Sequence, residues 1–291
     1  MRALVRVGGR GRDLLSEQRQ LLEVAVRATR LAGGLLAERA AAGVEREVSS
    51  KSTPTDLVSE ADLAAERAIR ELLAELRPDD GVLGEEGGRE SGSSELHWIV
   101  DPLDGTVNFL FGIPQWSVSV AVSDGTRTLA GAIYDPNREE LFTATADGPA
   151  RLTGAGGLER ELSGRRLDPG GSEDGDVERE LATAMVATGL AYDAGVRAGQ
   201  AQVLARLLPR VRDIRRFGSA ALDLAWTAAG RYDAYYERTV KAWDIAAGVL
   251  VCERAGLRTL ELAAAPELPW GVLVARPGLA EELAEIVSGG E

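Results

Sequence analysis

Trp98-Ile99-Val100-Asp101-Pro102-Leu103-Asp104-Gly105-Thr106-Val107-Asn108-Phe109 is the stretch on which the reading turns. Trp98-Ile99-Val100 is apolar and reads as a buried strand running straight into Asp101. Pro102 has no N–H to offer a ladder and stiffens the exit. Asp104 then returns toward Asp101, and two carboxylates turned together repel each other unless a cation sits between them. Gly105 lets a backbone or ligand approach closely. Gly105 and Thr106 open a short helical turn whose free N–H groups suit a phosphate. A plain Asp-Pro-x-Asp-Gly surface turn would share this composition but would not need the apolar strand in front of it.

Working outward, residues 118–122 and 129–134 flank Asp124-Gly125 as a hairpin, and 140–144 adds a third strand closed by Asp147-Gly148. This is an antiparallel meander. Upstream, 82–84 is short and apolar, and the Gly/Ser-rich 87–95 reads as a surface loop. Apolar positions at three- and four-residue steps predict a helix over 14–42, stopped by Gly43. A polar loop over 48–55, broken by Pro54, leads to a second helix starting at Asp56 or Ser59 and ending at Leu76. Ser59 with Asp62 three residues later resembles a capping box.

Downstream, 154–176 is rich in Gly, Ser and charge and marks a boundary. Beyond it strands (183–187, 213–216, 233–236, 271–275) alternate with helices (200–208, 219–229, 243–255, 279–287), which implies a sheet covered by helices. The expected organisation is an exposed arm over 1–13, an α+β half over 14–153, a variable linker over 154–176, and an α/β half over 177–291. The arm carries Arg2, Arg6, Arg10 and Arg12 but no apolar core of a secretory signal.

The 291 residues are acidic, with 46 Asp+Glu against 33 Lys+Arg, a net charge of −13. Such a surface repels nucleic acid and anionic lipid, so neither a nucleic-acid nor a membrane partner is expected. It repels phosphorylated substrates too unless a bound divalent cation reverses the local field. A single cysteine, Cys252, rules out an internal disulfide and fits a cytoplasmic setting. With one histidine, His97, a Cys/His zinc site lacks ligands, so any metal site must use oxygen donors suited to Mg²⁺, Mn²⁺ or Ca²⁺. No 18-residue apolar run is present. His97 is read as a strand-edge residue and Cys252 as a buried thiol within a helix.

Three further segments have bland readings when taken alone. Gly84-Glu85-Glu86-Gly87 can be a solvated acidic loop. Trp243-Asp244-Ile245-Ala246-Ala247-Gly248 starts an apolar helix, so Asp244 can be its N-cap. Asp56-Leu57-Val58-Ser59-Glu60-Ala61-Asp62 is an ordinary helix start. In this order, however, the four segments resemble the inositol monophosphatase family of lithium-sensitive, metal-dependent phosphatases. The Asp-Pro-x-Asp-Gly-Thr segment and the distal Trp-Asp-x-Ala-Ala-Gly segment match its two signatures, and the likeness runs over residues 22–256.

The resemblance implies a layered α-β-α-β-α sandwich of the sugar-phosphatase type and two to three Mg²⁺ ions, with Mn²⁺ as a substitute. Glu85, Asp101 and the Leu103 carbonyl would hold one ion, and Asp101, Asp104 and Asp244 a second. A third would sit loosely near Glu85. Thr106 paired with Asp62 would orient and deprotonate water. The Gly105 and Thr106 amides would bind phosphate, and residues 51–55 would form a mobile loop beside the site. Glu237 and the turn Gly218-Ser219-Ala220 would face the substrate. A small phosphorylated metabolite is the implied partner, with inositol 1-phosphate first and histidinol phosphate, fructose 1,6-bisphosphate and 3′-phosphoadenosine 5′-phosphate as alternatives. Arg215, Arg216, Arg238 and Lys241 are near enough in sequence to serve a bisphosphate. A homodimer and a regulatory, protein-binding role on the same fold also follow from the likeness. The family pattern is departed from over 253–262 and 266–270.

Overall fold

The computed structural model describes residues 10–43, 48–50, 57–165 and 181–288. Three layers of helix enclose two sheets. Helix α1 (Arg10–Ala42) buries Leu21, Ala25, Ala28, Ala32 and Leu36, a stripe at three- and four-residue steps. It starts inside the expected 1–13 arm; residues 1–9, like the 51–55 loop, lie outside the described residues. Strands β1 (Val48–Ser50) and β2 (Leu57–Ser59) pair antiparallel where the sequence predicts loop alone. Helix α2 (Glu60–Leu76) starts at a Ser59 cap, with the Ser59 amide donating to Asp62 Oδ2 at 2.8 Å.

The first sheet contains β3 (Gly81–Gly84), β4 (Gly88–Glu90), β5 (His97–Asp104), β6 (Ser117–Ser123), β7 (Thr128–Asp135), β8 (Glu140–Thr145), β9 (Arg151–Thr153) and β10 (Glu159–Glu161). Their order is β10-β9-β8-β7-β6-β5-β3-β4. The expected antiparallel meander, β6 to β8, extends to β5 on one side and to β9 and β10 on the other, but β3 lies parallel to β5, so the sheet is mixed at one end. His97 is the first residue of β5, at the edge of the strand as expected, with partners on both neighbouring strands. The 154–176 boundary is also drawn too early: 159–161 pairs with β9 as an edge strand, and the Gly164 amide donates to the Ala228 carbonyl. Residues 166–180 lie outside the described residues.

The second sheet has the order β12-β11-β13-β15-β14. Its strands are β11 (Met185–Thr188), β12 (Asp213–Arg215), β13 (Ala234–Arg238), β14 (Arg258–Leu262) and β15 (Gly271–Ala275). Its helices are α4 (Ala194–Leu207), α5 (Ala220–Ala228), α6 (Ala242–Arg254) and α7 (Pro277–Val287); the short α3 (Thr106–Leu110) follows β5. Strand β14 falls in the segment that departs from the family pattern.

Three cores make the layering. Helices α1 and α2 pack on Trp98, Val100, Val118 and Val120. Helices α5 and α6 lie between the sheets, touching Ile133 and Phe142 on one side and Tyr235 and Val274 on the other. Helices α4 and α7 cover the outer face of the second sheet. This is the α-β-α-β-α sandwich. Every residue of α5 is buried, as expected for a helix with a sheet on each side. Gly131 and Gly248 allow the tight central packing: a Cβ at Gly131 would stand 2.9 Å from Ala247 Cα, and one at Gly248 2.6 Å from a Leu224 methyl. Cys252 is buried here with its thiol on the Leu224 carbonyl at 3.1 Å, and burial raises its pKa. No helix among the described residues is long and apolar enough to cross a membrane.

Candidate active site

Strand β5 carries the site to the seam between the sheets. Its pairing with β6 slips between Asp101 and Asp104, so the ladder breaks at Pro102 and both carboxylates face the same way. Asp101 is 1% exposed and Asp104 8%, which removes the surface-turn reading. Asp101 Oδ1 accepts the Leu103 amide at 3.1 Å, closing the turn. Gly105 caps α3 at φ +101°, a conformation that strains any residue with a Cβ. A Cβ there would also stand 2.9 Å from the Gln115 carbonyl.

Thr106 is the first residue of α3. Its hydroxyl donates to Asp62 Oδ1 at 2.9 Å and lies 3.1 Å from the Leu103 carbonyl. Asp62 is fully buried at the start of α2, its other oxygen held by the Ser59 amide and hydroxyl. The capping box therefore fixes the carboxylate that faces Thr106, although the two lie 44 residues apart.

Glu85 sits in the turn after β3, its amide bonded to the Val100 carbonyl at 3.2 Å. That turn is anchored by a residue the sequence does not single out. Glu66 is buried on α2 and accepts the Glu86 amide at 2.7 Å and the Gly87 amide at 2.8 Å, with Arg70 on its other side at 2.7 Å. The Glu66/Arg70 spacing reads as a common i,i+4 helix pair, so nothing local betrays its second task.

Asp244 comes from the other half of the chain. It is not the N-cap of α6: Lys241 is, and Asp244 at the third helical position accepts the Lys241 amide at 2.6 Å. Asp104 faces the start of α5, where Ser219 Oγ (2.5 Å) and the Ala220 (3.2 Å) and Ala221 (2.8 Å) amides donate to it. This changes the part expected of Ser219. Its hydroxyl is engaged by Asp104 and its side chain is buried, so it joins the two halves and does not face a substrate. Asn108 makes a parallel link, donating to the Phe217 carbonyl at 2.6 Å.

Glu85, Asp101, Leu103, Asp104, Gly105, Thr106, Ala220, Glu237 and Asp244 line one cavity of about 400 Å³; Asp62 and Ser219 stand behind it. Burial raises the Asp101 carboxyl well above the usual range, and Glu85, Asp104 and Asp244 push it the same way. Asp104 is raised to about 6 by burial, against the pull of its Ser219 and amide donors. Asp244 is raised chiefly by burial, with Asp104 and Glu85 adding repulsion. Among the described residues no three Asp, Glu, His or Cys side chains are closed into a ready metal cage. The donor set still fits a hard cation: acidic oxygens and a carbonyl, converging on one cavity, each carboxylate repelling the others.

The opposite wall is made by Leu190, Ala191, Tyr192 and Asp193 after β11, Arg216 before α5, and Glu237 on β13. Glu237 accepts the Tyr235 hydroxyl at 2.9 Å, and burial raises its carboxyl to about 7. Gly189 leaves the room: a Cβ there would be 1.9 Å from the Glu237 carboxyl carbon. Of the four cations near in sequence, Arg216 and Lys241 line the cavity. Arg215 is bonded to Asp213, and the buried Arg238 donates to the Ala263, Pro269 and Val287 carbonyls.

The family model described as "Inositol monophosphatase family" matches residues 17–289. The chain is 43% identical over 242 residues to "Inositol-1-monophosphatase SuhB" of Mycobacterium tuberculosis, covering 81% of this chain and 79% of that one. It is 40% identical over 238 residues to "Nus factor SuhB" of Pasteurella multocida, covering 81% and 83%. The crystal structure of the extragenic suppressor protein suhB from Bartonella henselae superposes with a TM-score of 0.80 at 32% identity, covering 94% of this chain and all of that one.

Proposed function

The chain belongs to the inositol monophosphatase family and is a phosphatase of phosphomonoesters, and from that premise we propose a Mg²⁺-dependent enzyme whose first candidate substrate is inositol 1-phosphate. The observation that carries the metal dependence is the convergence of Asp244 with Glu85, Asp101 and Asp104, from both halves of the chain, on one cavity where the carboxylates repel one another. Glu85, Asp101 and the Leu103 carbonyl would hold one Mg²⁺, Asp101, Asp104 and Asp244 a second, with a looser third near Glu85. When bound, such ions lower the pKa of water and stabilise charge on the departing oxygen.

The protein's own groups supply the rest. Thr106 Oγ1, fixed by Asp62, orients the attacking water, and Asp62 Oδ1 receives the proton passed through that hydroxyl. Amides at Gly105 and Thr106 face the phosphate oxygens. As the water oxygen bonds to phosphorus, the opposite P–O bond breaks, and the departing alkoxide takes its proton from a second water in the cavity while its hydroxyls rest against Glu237. Glu237, with a carboxyl that titrates near neutrality, suits hydroxyl contacts on the leaving group. Histidinol phosphate, fructose 1,6-bisphosphate and 3′-phosphoadenosine 5′-phosphate are the alternative substrates. Lithium inhibition, a homodimer and a cytoplasmic setting belong to the same reading.

Phosphate release from this panel, with Mg²⁺ or Mn²⁺ and after chelation, tests it. Metal-dependent release, fastest on inositol 1-phosphate, is expected; release unaffected by chelation contradicts the reading. A regulatory, protein-binding role beside catalysis is favoured by the likeness to a Nus factor and by the exposed Phe111 (73%) and Ile113 (47%) after α3. Loss of a captured partner on Phe111→Ser, without loss of phosphate release, would support it.

A further inference from the structure

The cavity wall holds one arginine whose guanidinium bonds to none of the described residues. Arg215 is held by the two residues before it in β12, bonding Asp213 Oδ2 at 2.5 Å and the Ile214 carbonyl at 3.0 Å. Arg238 is 1% exposed and donates to three carbonyls. Arg216 lines the cavity, is exposed, and makes no hydrogen bond or ion pair to any described residue. Its charge is felt by Glu237 and by the buried Asp223 behind it, yet it pairs with neither.

The backbone around Arg216 is shaped to bring the guanidinium over the turn. Gly218 has φ +85°, and a Cβ there would stand 2.5 Å from Arg216 Nη1. The turn is tied to the phosphate end of the site, because Asn108 on α3 donates to the Phe217 carbonyl and Ser219 donates to Asp104. The turn that carries Arg216 therefore stands in a fixed relation to Asp101, Asp104 and Thr106, on the wall that also presents Glu237.

We propose that Arg216 is a specificity-determining residue that receives a second anionic group, a carboxylate or a second phosphate, carried by the leaving alcohol. This rests on the phosphatase reading above and extends it to the substrate's far end. A guanidinium fork matches the paired oxygens of either group, whereas an ammonium acts as a point charge. Glu237 beside it takes a hydroxyl of the same alcohol, so the wall reads the hydroxyls of the leaving group through Glu237 and, where the alcohol carries one, a second anion through Arg216.

Fructose 1-phosphate and fructose 1,6-bisphosphate present the same scissile ester without and with the second anion; p-nitrophenyl phosphate offers neither anion nor hydroxyls. The wild type is expected to turn over the bisphosphate with the higher kcat/KM. Arg216→Gln should lower kcat/KM for the bisphosphate by about 10- to 100-fold more than for the other two, mostly through KM, as loss of a charge-assisted contact predicts. Arg216→Lys should recover part of that loss. Equal losses on all three substrates, or no wild-type preference for the bisphosphate, would overturn the role of Arg216. Absence of wild-type hydrolysis on all three with Mg²⁺ would instead overturn the phosphatase reading beneath it.

Discussion

The floor and the opposite wall of the cavity are built in different ways. The floor has Asp101, Asp104 and Thr106 on one continuous strand-turn-helix, joined by Glu85 from the neighbouring strand and Asp244 from the first turn of α6. Its carboxylates repel each other, and its rigidity comes from outside: Ser219 and two α5 amides on Asp104, Lys241 on Asp244, Glu66 under the Glu85 turn. The wall draws on three separate segments, and two of its polar groups, Glu237 and Arg216, have few partners. A strained, braced floor suits chemistry common to many phosphate esters. A loosely partnered wall suits selection among alcohols, and can change without disturbing the floor.

Substitutions should separate the two regions. The largest effect belongs to Asp101→Asn, which removes the carboxylate proposed to serve both ions. Loss of one preorganised charge-stabilising group costs roughly 10²–10³ in kcat, so a loss of at least about a thousandfold is expected, on every substrate alike. Steady-state kinetics on two substrates of different alcohols checks this; a loss confined to one would move Asp101 from the floor to the wall.

Thr106→Ala and Asp62→Asn come next. Each should lower kcat by roughly a hundredfold, the scale of general acid–base assistance, with little change in Mg²⁺ affinity. Because the two share one hydrogen bond, the double variant should be scarcely worse than either single one. Additive losses in the double-mutant cycle would show that the groups act apart.

A smaller effect is expected from Gly189→Ala. The added methyl cannot coexist with Glu237 in its present place, so that carboxylate must turn away while the floor is untouched. The ratio of kcat/KM for inositol 1-phosphate to that for p-nitrophenyl phosphate should fall by about tenfold, comparable to the loss of one or two kcal/mol of contact. An unchanged ratio would mean that Glu237 does not read the alcohol.

Much of the floor was legible because its signals are local. A proline, a glycine and two aspartates within five residues announce a broken strand, and Ser59 with Asp62 announces a cap. The change of period between the meander and the alternating second half marked an antiparallel sheet followed by a helix-covered one, while the five-layer stacking came from the family resemblance. Ser219 was read as a substrate contact because a capping serine looks the same whether its hydroxyl meets a ligand or a carboxylate 115 residues away. Strand β10 escaped notice because Glu159–Glu161 is fully exposed and shows no alternation. Nor could spacing choose among Arg215, Arg216, Arg238 and Lys241, since Arg215 and Arg238 end strands while Arg216 and Lys241 lie in the turns beyond them, and only the folded chain shows which of them reach the cavity.

The central claim is that divalent cations are held jointly by the two halves, and Asp244 is its test. It lies 143 residues after Asp101 in the chain, yet lines the same cavity. The measurement is the melting temperature of metal-free wild type and Asp244→Asn across a Mg²⁺ titration, with the number of ions bound taken by calorimetry at the same concentrations. Binding to the folded state alone raises stability by mass action, by about 2.7 kcal/mol at a hundredfold excess over Kd. The wild type should therefore gain several degrees and bind at least two ions, while Asp244→Asn gains less and loses one. The amide oxygen of asparagine can accept the Lys241 N–H as the carboxylate does, so if Asp244 serves α6 alone, both proteins will show the same shift and the same number of ions, and the shared-metal account fails.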